Sequence, residues 1–434
     1  MGSGPLTITA AAPLIRSGEL TPRTLLEECL ARIDAYEPAV QAWASLDRDG
    51  ARQDADRLTD EIKRGQYRGP LHGIPIGVKD IIDVFDLRTG CGSKVWANSF
   101  ARRDAPVVEQ LRQAGAVILG KTVTTAYASF DPPVTRNPWN RERTPGGSSS
   151  GSAAAVACGM CLAALGTQTG GSITRPASYC GVASLKPTHG RVSLDGVLPL
   201  SPRLDHVGVM ANSVADLLLL FRTIRVAPAE PTGLLHRLLD LTDFAPPGLP
   251  EPSMAAAFAA CRDATAEKGW VWREHVLPPS FAEVRRNQYT LMAVGAAGYH
   301  GERFRRRPDD YPPWITKLIQ HGLTCPAPEY DRVLRHHARF RAEIDAAFPD
   351  GWDCFATPAT AGPAPAADTT GDPAFNSPWS YAGLPTVSLP IAWSDDRLPL
   401  SIQFVGRRGR DEQLLALAAR FEADLGFEHR TLPL

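Results

Sequence analysis

The sequence predicts an α/β fold in which helices cover both faces of a sheet. Three observations carry that expectation. Ile74, Ile76 and Val78 alternate with their neighbours, which suits a strand ending at Lys79. A helical stripe of Val107, Val108, Leu111 and Ala114 follows Asp104 and stops at Gly115. The wholly apolar run 116–119 comes next, and a strand apolar on both faces has to be covered twice.

The remaining elements follow in chain order. Thr21 suits a helix N-cap, Pro22 suits the first helical position, and Leu26, Cys29 or Leu30, and Ile33 form one apolar stripe. A Pro/Ala-rich stretch at 357–367 reads as a loop. Strand-like runs return at 386–393 and 400–405, with a helix over about 411–425. Between about 222 and 330 the pattern weakens, and the stretch reads as a mostly helical insertion. No internal repeat is visible.

Composition narrows the function. At 434 residues the chain is long enough for two or three domains, which length alone suggests. The formal charge of -1 gives no global field to attract nucleic acid or an anionic membrane. A small uncharged substrate fits that balance. No basic region followed by an apolar stretch opens the chain, so no signal peptide is expected. Leu6 stands where an acylation motif on Gly2 needs Ser or Thr. The reading is cytoplasmic, without a membrane span. The pair Cys158-Gly-Met-Cys161 has redox spacing, but it ends a small-residue helix instead of opening one, so packing is expected.

The chemistry gathers in two Gly/Ser turns, one at 145–151 and one at 166–172. Such turns bring backbone N–H groups close to a ligand and can hold both a nucleophile and an oxyanion hole. Neither has the lysine of a phosphate loop. Gly147-Ser-Ser149-Ser-Gly151 matches the nucleophile-elbow spacing, yet the polar, Pro-broken segment before it is no buried strand, which argues against Ser149. Composition alone is equally compatible with a flexible loop.

Longer motifs decide between these. Gly77-Val-Lys79-Asp80, Pro145-Gly-Gly-Ser-Ser149, Gly170-Gly-Ser172, Cys180-Gly-Val-Ala-Ser-Leu-Lys-Pro-Thr188, Gly383-Leu-Pro385 and Gln403-Phe-Val-Gly406 together resemble the amidase signature family. The resemblance covers roughly 7–222 and 375–425. It implies one three-layer α/β/α domain over 1–434 around a mixed, mainly parallel sheet, with 222–330 shaping the substrate entrance. By position it implies Ser172 as nucleophile, Ser148 as bridging serine after a cis Gly147–Ser148 bond, and Lys79 as base. It also implies an oxyanion hole from the backbone of Thr169, Gly170, Gly171 and Ser172. No histidine lies in either turn, so Lys79 has to act as a neutral amine, which burial favours.

Two positions depart from the family pattern. Gln168 and Thr174 stand where many members carry Asp and Arg, with Arg175 displaced by one. A neutral hydrogen-bonding pair behind the nucleophile turn is expected there, with a charge removed from beside it. Tyr127 and Phe130 are candidates for an aromatic pocket, with Trp139 and Trp379 as further aromatics. His72, His189 and His206 are assigned surface or packing roles, and His336-His337 is placed on a solvated helix. No metal or cofactor is implied. The expected reaction is hydrolysis of a small neutral carboxamide, with aryl amides, esters and carbamates as relatives, by a monomer or homodimer. The alternatives are the glutaminase subunit of a tRNA-dependent amidotransferase and a catalytically idle scaffold.

Overall fold

A computed structural model describes residues 6–96, 98–226, 237–241, 249–352 and 354–433, so Gly2 lies outside the described residues. The strands are β1 (Trp43–Leu46), β2 (Pro75–Lys79), β3 (Val117–Thr122), β4 (Ala163–Gln168), β5 (Ala183–Lys186) and β6 (His206–Ala211), then β7 (Arg237–Asp240), β8 (Val271–Glu274), β9 (Cys354–Pro358), β10 (Thr386–Trp393) and β11 (Pro399–Gly406). All join one 11-stranded sheet in the order β1-β3-β2-β4-β6-β5-β10-β11-β9-β7-β8. The sheet is mixed. Its parallel pairing is gathered in two blocks, β3-β2-β4 and β9-β7-β8, and the pairs around and between them are antiparallel. β7 and β8 come from within the weakly patterned stretch and extend one edge of the sheet.

The helices are α1 (Ile8–Ser17), α2 (Pro22–Val40), α3 (Arg48–Lys63), α4 (Pro106–Gln113), α5 (Ser150–Ala157), α6 (Thr174–Cys180) and α7 (Val214–Ile224), then α8 (Pro252–Ala266), α9 (Val284–Arg306), α10 (Pro313–Thr324), α11 (Ala327–Ala346), α12 (Ser377–Ala382) and α13 (Asp411–Leu425). The hydroxyl of Thr21 caps α2 by accepting from the Thr24 N–H at 3.0 Å, with Pro22 in its first turn. α4 buries Val107, Val108 and Leu111 as its spacing requires. α5 and α6 pack on each other and on the sheet, while α7, α8 and α13 form a second packed group against it. The fold is the α/β/α arrangement expected.

One expectation is corrected in α11. His336 and His337 are buried, not solvated. Nδ1 of His336 faces the Tyr381 hydroxyl at 2.9 Å and Nε2 of His337 faces the Tyr381 carbonyl at 2.8 Å. The buried residues Val333, His336, His337, Phe340 and Ile344 fall at helical spacing, so both imidazoles belong to the apolar face despite the arginines around them. Cys158 and Cys161 are buried free thiols, each pushed up to about 12 by burial, in keeping with packing.

Candidate active site

Two parallel neighbours set the site. β2 and β4 pair with Val78 opposite Leu165, so Lys79, the last residue of β2, lies beside the C-terminal end of β4. Residues alternate along β4, and Thr167 and Gln168 therefore point to opposite faces. Thr167 meets Lys79 and Ser149, whereas Gln168 meets α6 and α12.

Lys79 is fully buried, and its Nζ donates to Ser148 Oγ at 2.7 Å and to Thr167 Oγ1 at 2.7 Å. Among the described residues it has no ion-pair partner. Burial pulls its pKa well below the ordinary lysine value, and the charge of Asp205 opposes that pull. Gly147–Ser148 is a cis peptide bond, as the resemblance implies. The Ser148 carbonyl accepts from the Thr125 N–H, and the Ser172 carbonyl accepts from the Ser149 N–H at 3.2 Å. Ser172 retains 9% exposure against none for Lys79 and Ser148, so of the three it is the one nearest to solvent. Ser149 Oγ is spent on Thr167, accepting from its N–H and donating to its carbonyl at 3.2 Å each.

The turn 169–172 is held from behind. Gln168 Oε1 accepts from the N–H groups of Ile173 at 2.8 Å and Thr174 at 3.0 Å. Gln168 Nε2 donates to Ser380 Oγ, which donates to the Gly170 carbonyl at 2.7 Å. Gln168 and Thr174 are thus linked, but through the Thr174 backbone; its hydroxyl faces Thr386 Oγ1 at 3.5 Å. The reason is local, because the first N–H groups of α6 have no helical partner and the glutamine supplies one. A Cβ on Gly171 would stand 2.7 Å from Asn376 Oδ1, so the turn can approach α12 only without a side chain there.

The displaced Arg175 is a correction. Its charge is not removed from the site but buried beside it, where Nη2 donates to the Gly147 carbonyl at 2.8 Å and to Thr370 Oγ1 at 3.2 Å. Burial lowers its pKa to about 10. Arg175 thereby holds the peptide that precedes Ser148.

A cleft of about 640 Å³ leads to the turn, lined by Phe130, Gln288, Trp314, Leu318, Thr370 and Ser377 among others. Gln288 Nε2 donates to the Thr169 carbonyl at 3.3 Å, which ties the cleft wall to the turn. Of the aromatic candidates only Phe130 lines it. Tyr127 is buried, bonded to Ser93 Oγ at 2.8 Å and stacked on Tyr311 at 4.7 Å. Trp379 is core, and Trp139 packs on Trp393 and donates to the Cys180 carbonyl. His206 is buried with Nδ1 against the Leu204 and Gln168 carbonyls, and His72 is likewise in the interior. Among the described residues no group of three or more His, Cys, Asp or Glu is placed to hold a metal ion. Sequence reasoning missed Thr167, Asp205, Ser380 and Gln288. Only Thr167 had a signal, its place on the strand that leads into the turn 169–172.

A buried lysine bonded to Ser148, a cis peptide before that serine and a glycine turn beside the cleft wall make this the candidate active site. The chain belongs to the amidase family, whose model matches residues 24–231 and 242–415; the family's enzymes act on C–N bonds. One relative, a subunit of the glutamyl-tRNA(Gln) amidotransferase of Roseiflexus sp. (strain RS-1), is 34% identical over 96% of each chain. A peptide amidase from Stenotrophomonas maltophilia superposes with a TM-score of 0.86 at 28% identity, over 99% of this chain and 98% of that one. A 6-aminohexanoate cyclic dimer hydrolase gives a TM-score of 0.86 at 26% identity, over 97% of each.

Proposed function

We propose that this amidase-family chain hydrolyses a neutral carboxamide through an acyl-enzyme on Ser172. The observation that carries the reading is the buried Lys79 amine, which has no carboxylate bonded to it among the described residues and reaches Ser148 Oγ at 2.7 Å. Burial disfavours the ammonium form, so the amine is free to take a proton. Ser172 Oγ attacks the carbonyl carbon while its proton passes to Ser148 Oγ and the Ser148 proton passes to Lys79 Nζ. Backbone N–H groups of Thr169, Gly170, Gly171 and Ser172 receive the oxyanion, each well-placed donor contributing about 2.7–4 kcal/mol. The proton returns along the same path to the leaving nitrogen. Water then releases the acyl group by the reverse transfer.

The apolar wall of Phe130, Met292, Trp314 and Leu318 supports aryl amides, with esters and carbamates open to the same acyl chemistry. The protein then works without a cofactor, as a cytoplasmic monomer or homodimer formed from one domain. No helix among the described residues is long and apolar enough to cross a membrane. A fluorophosphonate label followed by peptide mapping, run with a panel of amides, esters and carbamates, tests the proposal. The expected result is label on Ser172 and turnover of aryl substrates. Label on Ser149 or a distant serine would overturn the mechanism. Turnover of small free amides with none of anilides or carbamates would overturn the substrate range.

A second reading is the glutaminase subunit of a tRNA-dependent amidotransferase, favoured by the name of the 34% identical relative. It requires a protein partner, and full activity of the isolated chain on simple amides counts against it. The idle-scaffold reading is disfavoured by the intact Lys79, Ser148 and Ser172.

A further inference from the structure

The proton drawn from Ser172 ends on Lys79, so a buried ammonium forms at the moment of reaction. An ammonium taken out of water is strongly disfavoured unless an opposite charge stands near it. Asp205 stands where it can supply one. It immediately precedes β6, whose first residue, His206, lies opposite Gln168, so Asp205 faces the end of β4. Its Oδ1 accepts from Thr169 Oγ1 at 2.5 Å. Its Oδ2 accepts from the N–H groups of Leu200 at 3.0 Å and Ser201 at 2.9 Å. Three donors aimed at one buried carboxyl favour its ionised form. Thr167, which holds Lys79 Nζ, lines the same small cavity of about 10 Å³ as Thr169, Asp205 and His206.

We propose that Asp205 is a positioning residue with two tasks: it is the counter-charge Lys79 gains on taking the Ser172 proton, and through Thr169 it anchors the oxyanion turn. The inference rests on the reading of Lys79 as base. No proton goes to Asp205; the transfer is from Ser172 to Ser148 and from Ser148 to Lys79, and the carboxylate stabilises the charge that results. Such stabilisation is stronger in the transition state than before it, which is what accelerates a reaction.

The surrounding charges agree with this assignment. Burial lowers the Lys79 pKa and Asp205 raises it, while the Arg175 guanidinium stands beyond Ser148, on the Gly147 carbonyl. The Asp205 pKa lies above its ordinary value because burial outweighs the opposing pull of Thr169, Ser201, Leu200 and Lys79. His206, next in the chain, is held neutral by burial and by Lys186 and His189 beyond it.

The test is the pH profile of kcat/KM for the full chain and for Asp205→Asn on one aryl amide. Neutral Lys79 is the active form, so activity rises with pH through the Lys79 pKa. Removing the anion lowers that pKa, and the acid limb moves down by about one pH unit or more. The plateau falls by roughly 10²-fold, because the ammonium forms without its counter-charge. Asp205→Glu keeps the charge and is expected to return the limb toward its original position. Thr169→Val lowers kcat without moving the limb. Asp205→Ser, smaller and neutral, carries the same expectation should the Asn variant fail to fold. A limb unmoved in the neutral variants, or moved upward, overturns the proposal. Ser172→Ala is run alongside: if it stays active the acyl-enzyme reading itself fails, whereas an inactive Ser172→Ala with an unmoved Asp205→Asn limb sinks only the role of Asp205.

Discussion

Replacing Gln168 with methionine keeps the length of the side chain and deletes its polar atoms. In the native turn those atoms serve the N–H groups of Ile173 and Thr174 and the Ser380 hydroxyl. Gln168 is fully buried, so water cannot take over. Leaving a buried donor unsatisfied costs about 1–3 kcal/mol, and two donors partly relieved by small shifts cost about 2–4 kcal/mol together. With about 2.1 cal/mol/K per residue, a chain of 434 residues unfolds with an entropy near 0.9 kcal/mol/K, so Tm falls by about 2–4 °C. The effect on catalysis is larger. The freed N–H groups lie directly after Ser172, and Ser380 loses its link between Gln168 and the Gly170 carbonyl. Misplacing one oxyanion donor lowers kcat by roughly 10²-fold with little change in KM, because the donors act on the transition state. Scanning calorimetry and steady-state kinetics on one amide measure both. A Gln168→Met variant with wild-type kcat would refute the view that this side chain holds the turn, whatever its Tm.

The other predictions concern separate parts of the molecule. Ser149→Ala is expected to cost about 1–3 kcal/mol through the Thr167 N–H it abandons, yet to keep the fluorophosphonate label on Ser172, read by peptide mapping. Loss of label from a folded Ser149→Ala protein contradicts the site. Phe130→Ala is expected to raise KM for an aryl amide about tenfold and leave that for acetamide unchanged; equal effects on both substrates would remove the cleft from aryl recognition. Burial brings the Lys186 pKa down to about 7, against the opposing pull of Asp411. Between there and the unfolded value near about 10.4 the unfolded chain binds one more proton, so this term makes stability rise with pH over that window. Lys186→Met is expected to flatten the slope of Tm against pH there, and an unchanged slope would show Lys186 to be charged in the native protein.

Parts of the fold with strong periodicity were legible in the sequence. The alternation before Lys79 became β2, and the capped stripe after Thr21 became α2. α11 misled because arginines are interleaved with its buried residues, and the period of Val333, His336 or His337, Phe340 and Ile344 is visible only if histidine counts as apolar. β7 and β8 are four residues each, too short to show a period at all. At the candidate site, the meeting of Lys79 with Ser148 and the cis Gly147–Ser148 bond were legible because these residues sit in long motifs. Asp205 was not, since it is a lone acid in a turn whose meaning comes from pairing β6 against β4. Gln168 was noticed only as a departure, and its partners proved to be backbone groups that no residue pattern reveals.

The strand pairing also decides when chemistry can begin. Lys79 and Thr167 are separated by 88 residues in the chain and meet only once β2 and β4 are side by side. Asp205 arrives later still in synthesis, with β6. Before those strands pair, the lysine is in water, where it is an ordinary ammonium and cannot accept a proton. Under the proposed mechanism a nascent or locally unfolded chain therefore carries no activated serine. Under that mechanism, activity would be a property of the finished sheet, lost on opening before any residue is chemically altered.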